Sequence, residues 1–128
     1  MKVLYVDDDR LNALLFSEAC RLVGGVEVRT ADCGAEAVET VDGWRPDLAV
    51  IDLHLPDTRG TTLLPQLRAR LGAPRLRAYL CSADDLADVA AAAREAGFDG
   101  CWVKPLDLAA ITRELLQPTP PSEGADPT

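Results

Sequence analysis

Four short apolar segments of this chain each end in polar side chains that could do chemistry. In chain order these polar residues are Asp7 and Asp8, then Asp52, Ser82 and Lys104. If the segments are parallel strands, their carboxyl ends meet at one edge of a sheet, where open α/β proteins bind ligands. Clustered carboxylates repel one another unless a cation neutralises them, and an all-oxygen ligand set favours Mg²⁺ or Mn²⁺ over zinc. The pattern predicts an acidic metal pocket.

A lysine and a hydroxyl beside such a pocket indicate phosphoryl chemistry. The Asp52 carboxylate could act as a nucleophile toward phosphorus, with a metal ion screening the incoming phosphoryl group. Lys104 and Ser82 could bind the phosphoryl oxygens. We therefore interpret these residues as a site of aspartyl phosphorylation.

The hydrophobic pattern predicts the elements that must position this site. Residues 48–51 are an unbroken apolar run between Asp47 and Asp52, as in a strand of a parallel sheet that is buried on both faces. Further strands are predicted at Val3–Val6, Val26–Ala31, Leu76–Cys81 and Gly100–Val103. Each strand is followed by apolar residues at helical spacing, beginning with Leu11, Leu14, Leu15 and Leu22. Five alternating strands and helices predict a doubly wound α/β sheet with helices on both faces.

Composition limits the classes of function. At 128 residues and 48% hydrophobic, the chain is the size of one domain with a single core. A net charge of −8 argues against nonspecific binding to nucleic acid or anionic lipid, so we expect protein partners. The sequence contains no apolar run of about 20 residues and no signal-peptide pattern, which predicts a cytoplasmic protein without a membrane span. Four scattered cysteines, Cys20, Cys33, Cys81 and Cys101, are expected to be buried free thiols.

Taken together, these motifs resemble the CheY-like receiver domain of two-component response regulators, from about Lys2 to Gln117. The resemblance rests on five pieces in order: Val6-Asp7-Asp8, Ile51-Asp52-Leu53-His54-Leu55-Pro56-Asp57, Gly60, Cys81-Ser82-Ala83 and Val103-Lys104-Pro105. It implies a flavodoxin-like (βα)5 fold with strand order 2-1-3-4-5. It also implies a phosphoacceptor that modifies itself, and not an enzyme that turns over an external substrate.

The resemblance assigns roles to single residues. Asp52 would accept the phosphoryl group, while Asp8, Asp52 and the backbone carbonyl of His54 would ligate Mg²⁺ or Mn²⁺ with help from Asp7. Ser82 and Lys104 would bind the phosphoryl group, and the Lys104-Pro105 bond would be cis. The donor would be a histidine kinase or a histidine phosphotransfer protein, and the phosphorylated form would act on a downstream protein that the sequence does not identify.

Some features concern the wider context of the domain. The opening residues 6–12 are most similar to receivers of hybrid sensor kinases. We expect a receiver domain over 1–117 and a disordered, proline-rich tail over 118–128, acting as a single-domain response regulator or a phosphotransfer intermediate. One departure is Cys101, which stands where receivers usually carry the Tyr or Phe that couples phosphorylation to helix 4.

The residues leave several alternatives open. A flavodoxin-like cofactor binder would need a phosphate-binding loop after the first strand, where three aspartates would repel phosphate. A haloacid-dehalogenase-type phosphatase would need a second Asp two residues after Asp52, where the chain has His54. A receiver-like interaction module would never carry phosphate. Ser82 could also cap a helix by forming a capping box with Asp85. The His54 imidazole is a further candidate for a metal ligand or a base.

Overall fold

The protein is a five-stranded parallel sheet covered by helices, described here from a computed structural model over residues 1–116. The strands are β1 (Lys2–Val6), β2 (Glu27–Ala31), β3 (Leu48–Asp52), β4 (Arg77–Ser82) and β5 (Gly100–Val103). The helices are α1 (Arg10–Val23), α2 (Gly34–Val41), α3 (Gly60–Leu71), α4 (Leu86–Ala96) and α5 (Leu108–Leu116). The sheet order is β2-β1-β3-β4-β5, which confirms the predicted doubly wound fold. The predicted proline-rich tail at 118–128 lies outside the described residues.

β3 is the central strand, and all five of its residues are buried. It pairs in parallel with β1 and β4, so that Val6 lies beside Ile51, and Asp52 beside Cys81. Further along the sheet, Ser82 lies beside Val103. This register brings the carboxyl ends of the strands to one edge, as the sequence predicted.

Two apolar cores cover the two faces of the sheet. Alternate strand residues such as Leu4 and Ile51 contribute to a core shared with α2, α3 and α4. Tyr5 and Val50 point the other way, into a smaller core with Phe16 of α1 and Ile111 of α5. Helices on both faces shield the backbone of the sheet, which leaves its carboxyl edge as the place for a polar site.

The α1 helix forms as predicted, but the leucines that indicated it are not its buried face. Its buried residues are Phe16, whose ring stacks on Tyr5 with centroids 4.5 Å apart, and Cys20. The four leucines that indicated the helix are between 45% and 76% exposed: Leu11, Leu14, Leu15 and Leu22. Helical spacing identified the helix. However, Phe16 and Cys20, and not the four leucines, form the face that packs on the sheet.

Two other helices have exposed or unusual positions. In α4, Val89 and Ala93 are buried, but Leu86 at its first position is 59% exposed. In α3, Pro65 is the sixth residue of the helix. None of the helices within residues 1–116 is long and apolar enough to cross a membrane.

Candidate functional site

Three carboxylates meet at the carboxyl edge of the sheet. Asp7 and Asp8 follow β1, and Asp52 ends β3; each offers a carboxylate oxygen within 4.8 Å of one on the others. Asp7 and Asp52 are buried, whereas Asp8 is exposed. The predicted acidic cluster is therefore formed, with two members inside the protein and one at its mouth.

Lys104 is the cation of this cluster. Its Nζ lies 3.0 Å from Asp7 Oδ2 and 2.9 Å from Asp52 Oδ2, and its side chain is only 16% exposed. Burial acts to lower the pKa of Lys104, but the carboxylates of Asp52 and Asp7 outweigh it and the pKa is raised. Lys104 therefore stays protonated, and its single charge is shared between two buried carboxylates.

Asp7 is the better stabilised of these two carboxylates. It accepts hydrogen bonds from the Tyr5 hydroxyl at 3.0 Å and from the Asp9 backbone N–H at 3.0 Å, besides the contact with Lys104. Burial acts to raise the pKa of Asp7, yet these donors and Lys104 hold it below the usual range. Asp7 is thus a fixed anion.

Asp52 has fewer donors. Apart from Lys104, it accepts only a long 3.3 Å hydrogen bond from the His54 backbone N–H among the described residues. Burial raises the pKa of Asp52 and the nearby charge of Asp7 adds to this, while Lys104 and the His54 N–H oppose the shift without cancelling it. The Asp52 carboxylate is therefore the less compensated of the two buried carboxylates, which suits a nucleophile or a metal ligand.

Ser82 and Lys104 are held together by the sheet. The Lys104 backbone N–H donates to the Ser82 carbonyl at 2.8 Å, and the Lys104-Pro105 peptide bond is cis, as the resemblance implied. The Ser82 side chain is fully buried, and its Oγ accepts a hydrogen bond from the Asp84 backbone N–H at 3.1 Å. Because Oγ is already an acceptor, its own O–H proton can point to another oxygen.

Helix capping involves other residues than those of the acidic cluster. Asp9 caps α1 by accepting from the N–H groups of Leu11 and Asn12, which leaves Asp7 and Asp8 to the cluster. Asp85, and not Ser82, is the N-cap of α4 and accepts from the Ala87 N–H. The helix caps therefore do not account for Asp7, Asp8 or Ser82.

The loop between β3 and α3 contacts α2, the end of β3 and the loop after β4. Asp57 accepts from the backbone N–H groups of Gly34 and Ala35 at 2.8 and 2.9 Å, which fixes the loop to the start of α2. At the end of the loop, the Gly60 backbone lies so close that an added Cβ would be 2.5 Å from the Asp52 carbonyl oxygen. The His54 imidazole reaches Asp84 in the next loop, with Nε2 2.6 Å from Oδ2.

Sequence reasoning missed three of these contacts. Tyr5 lies on β1 and Asp7 directly follows the strand two residues later, so the alternation of β1 could have placed the hydroxyl beside the carboxylate. Local sequence carries no comparable signal for the pairing of His54 with Asp84, or for that of Asp57 with α2, since each joins distant parts of the chain. The cysteine prediction is partly confirmed: all four thiols are free, but only Cys20 and Cys81 are fully buried.

The donor set fits a hard divalent cation. Carboxylate oxygens within 4.8 Å of one another, one of them exposed to solvent, can share an ion that keeps several waters, as Mg²⁺ does. That the His54 backbone carbonyl joins the same site stays a prediction from the resemblance. No cysteine or histidine side chain of the described residues joins this cluster, which disfavours zinc.

A doubly wound parallel sheet with an acidic pocket and a lysine at its carboxyl edge is consistent with a phosphoacceptor domain of the α/β class. The family model for the response regulator receiver domain matches residues 3–116 of this chain. The chain belongs to the response regulator receiver family, whose domains receive phosphate from histidine kinases and are typically phosphoacceptors rather than turnover enzymes.

Individual relatives agree. The chain is 36% identical over 114 residues to the transcriptional regulatory protein PrrA of Mycobacterium leprae, covering 89% of this chain and 48% of PrrA. A putative response regulator from Chloroflexus aurantiacus superposes with a TM-score of 0.81 at 28% identity, covering 89% of this chain and 93% of that one. A receiver domain from Methylobacillus flagellatus gives a TM-score of 0.78 at 30% identity, with 90% and 95% covered. The chain spans between 19% and 55% of the length of the first curated relatives it matches.

Proposed function

We propose that Asp52 is the phosphoacceptor of a two-component or phosphorelay system, and that it takes its phosphoryl group from phosphohistidine in a Mg²⁺-dependent reaction. The observation that carries this proposal is the Asp52 carboxylate itself. It is buried at the end of β3, lies within 4.8 Å of two further carboxylates, and is 2.9 Å from Lys104. A buried carboxylate in these surroundings can bind a metal cation and attack an electrophile.

The transfer step uses the residues of the pocket in separate roles. An oxygen of the Asp52 carboxylate attacks phosphorus, the bond between phosphorus and the donor nitrogen breaks, and the donor imidazole leaves with the electron pair. The ammonium of Lys104 and the hydroxyl of Ser82 bind oxygens of the arriving phosphoryl group. Asp7 and Asp8, with Asp52 and the His54 carbonyl, would hold Mg²⁺, which when bound neutralises negative charge on the transferring group.

Intact-mass measurement tests this proposal. The protein incubated with acetyl phosphate and Mg²⁺ should gain one phosphoryl group. Asp52→Asn or excess EDTA should abolish the gain. Asp47→Asn is the matched control, because it makes the same change just before the opposite end of β3 and should not affect labelling. Labelling that survives both Asp52→Asn and EDTA would refute the assignment.

The alternative is a receiver-like interaction module that is never phosphorylated. The complete set of acidic residues, lysine and hydroxyl supports the phosphorylated form instead. If neither acetyl phosphate nor a phosphohistidine donor labels folded protein that binds Mg²⁺, the alternative becomes the better description.

The proposal also covers the signalling system in which this domain would act. A receiver domain over 1–117 would act as a single-domain response regulator or as an intermediate in a phosphorelay. The donor would be a histidine kinase or a histidine phosphotransfer protein. The motif at residues 6–12, which is similar to hybrid-kinase receivers, supports the phosphorelay form.

Cys101 indicates how the phosphorylated form acts. It is half-buried beside Leu80 and packs against the core under α4, where a thiol has too little volume to replace a turning aromatic ring. Trp102 points to the opposite face and stacks on Tyr79 with ring centroids 4.6 Å apart. We therefore expect phosphorylation to act at the loops near Asp52 more than through α4.

Hydrogen exchange with and without beryllofluoride, a mimic of the phosphoryl group, tests this expectation. Protection should change over residues 52–60 and at Ser82, and little over residues 89–102. A large change over residues 89–102 would mean that α4 responds without the aromatic ring.

A further inference from the structure

A buried tyrosine hydroxyl contacts the acidic pocket from inside the core. Tyr5 lies on β1 and is fully buried, and its hydroxyl donates to Asp7 Oδ2 at 3.0 Å. Its ring stacks on Phe16 with an interplanar angle of 17°, which fixes the direction of the hydroxyl. Burial raises the pKa of Tyr5, and the nearby Cys81 and Asp7 add to the shift. The hydroxyl therefore keeps its proton and acts as a donor.

The oxygen that accepts from Tyr5 is also the oxygen that contacts Lys104. Asp7 Oδ2 lies 3.0 Å from the Tyr5 hydroxyl and 3.0 Å from Lys104 Nζ. A carboxylate oxygen offers about two lone-pair sites, so these two donors occupy this atom fully. The same ammonium lies 2.9 Å from Asp52 Oδ2. The contacts therefore run without a break from Tyr5 through Asp7 and Lys104 to the phosphoacceptor.

The two buried carboxylates compete for this one ammonium. On Asp7 Oδ2, the hydroxyl hydrogen of Tyr5 neutralises part of the negative charge and repels the ammonium at the same atom. On Asp52 Oδ2, Lys104 is the only donor among the described residues. The Tyr5 hydroxyl therefore shifts the balance of the lysine toward Asp52, where the phosphoryl group would arrive.

We propose that Tyr5 is a positioning residue that weakens the hold of Asp7 on Lys104, and so leaves the ammonium free to bind the phosphoryl group on Asp52. This inference rests on the proposed function. Tyr5 makes and breaks no bond to phosphorus, and it acts only through Asp7 and Lys104. The bonds that change remain those of the transfer from the donor imidazole to the Asp52 carboxylate.

The Tyr5→Phe variant isolates this effect, because it removes the hydroxyl and keeps the ring that packs on Phe16. Hydrogen bonds to charged groups shift equilibria by about ten- to a hundredfold, and only the share that differs between the two carboxylates counts here. Tyr5→Phe should therefore slow labelling by acetyl phosphate at saturating Mg²⁺ by about five- to tenfold. The Mg²⁺ concentration at half-saturation should not rise, since Asp7 loses a donor and keeps its oxygens for the ion.

Two measurements separate these quantities. The initial rate of mass gain with acetyl phosphate is followed over a series of Mg²⁺ concentrations, which gives the maximum labelling rate. The rise in melting temperature over the same series, without acetyl phosphate, gives the Mg²⁺ concentration at half-saturation. A purely structural role of Tyr5 would not lower the first quantity while leaving the second unchanged.

Tyr79→Phe is the matched control. Tyr79 lies in the same core as Tyr5, its ring stacks on Trp102, and its hydroxyl accepts a hydrogen bond from Arg77 at 2.7 Å. Arg77 begins β4 at the edge of the sheet opposite to the pocket. The control therefore also removes a hydrogen-bonded tyrosine hydroxyl from this core, so it should lower the melting temperature by a similar amount but label at the parent rate.

A double variant tests whether Tyr5 acts through the lysine. In a Lys104→Met background, Tyr5→Phe should not change the labelling rate further, because no ammonium is left to position. A further fivefold loss in the double variant would mean that the two side chains act separately, and would overturn the proposal.

The other outcomes distinguish this proposal from the one on which it rests. A parent protein that takes no phosphoryl group would overturn the proposed function and the role of Tyr5 with it. If the parent is labelled on Asp52 but Tyr5→Phe reaches the parent rate at saturating Mg²⁺, the role of Tyr5 alone is overturned. Equal slowing in Tyr79→Phe would also overturn it, since the loss would then follow from removing any hydroxyl from this core.

Discussion

Removing the charge of Lys104 should destabilise the protein by leaving two buried carboxylates without a counter-ion. The side chains of Asp7 and Asp52 are 0% and 8% exposed, and each has an oxygen within 3.0 Å of the lysine nitrogen. Breaking a buried ion pair by removing one partner costs about 3–5 kcal/mol. Asp52 can relieve part of this by taking up a proton, so Lys104→Met should lose about 2–4 kcal/mol of unfolding free energy at pH 7.

The loss should depend on pH and on Mg²⁺. Without Lys104 the folded-state pKa of Asp52 rises further above its unfolded value, so the variant loses stability as the pH rises from the unfolded pKa through the folded one. The gap to the parent protein should therefore widen from about pH 4 upward. Mg²⁺ should raise the stability of Lys104→Met more than that of the parent, because the ion supplies the missing positive charge.

Urea unfolding followed by circular dichroism, with and without MgCl₂, measures both effects. Lys2→Met is the control: it removes the same charge from an exposed position and should change stability by no more than about 0.5 kcal/mol. A Lys104→Met protein within about 0.5 kcal/mol of the parent at pH 7, or an equal gain from Mg²⁺ in both, would refute the reasoning.

Three further variants test the site and the fold. Asp8→Asn, at an exposed ligand position, should change metal-free stability by no more than about 0.5 kcal/mol but lose most of the Mg²⁺-dependent rise in melting temperature; an undiminished rise would exclude Asp8 from the site. Gly60→Ala should cost about 1–3 kcal/mol and slow labelling by acetyl phosphate, since its Cβ would press on the Asp52 carbonyl; unchanged stability and labelling would contradict the close approach. Phe16→Ala should cost about 3–5 kcal/mol in chemical denaturation, against no more than about 0.5 for Leu15→Ala, and equal losses would contradict the packing of α1.

The parts of the fold that sequence predicted best are those that depend on local pattern. The short apolar run before Asp52 indicates a strand covered on both faces, and polar residues that follow parallel strands meet at one edge of the sheet. The acidic cluster, Ser82 and Lys104 are predictable from the sequence for this reason. The orientation of α1 was not predictable in the same way. The leucines and the pair Phe16 and Cys20 lie on different faces of this helix, and packing against the sheet determines which face is buried.

The contacts that sequence could not predict are those between loops. Asp57 and Gly34 are 23 residues apart, and His54 and Asp84 are 30 apart. Polar side chains in loops are common, and nothing in their spacing indicates which pairs will meet. Their positions depend on loop lengths and on the crossing of the helices, which only the assembled fold defines.

The start of α2 is defined by tertiary structure more than by its own sequence. Cys33 is its N-cap and offers only a weak sulfur acceptor to Glu36, while the stronger acceptor for its first amides is the Asp57 carboxylate from the loop that follows the phosphoacceptor. These amides hold the pKa of Asp57 below its usual range. If that loop moves, either the first turn of α2 must move with it or the Gly34 and Ala35 amides must hydrogen-bond to solvent instead. The first turn of α2 is thus coupled to the position of the loop between β3 and α3.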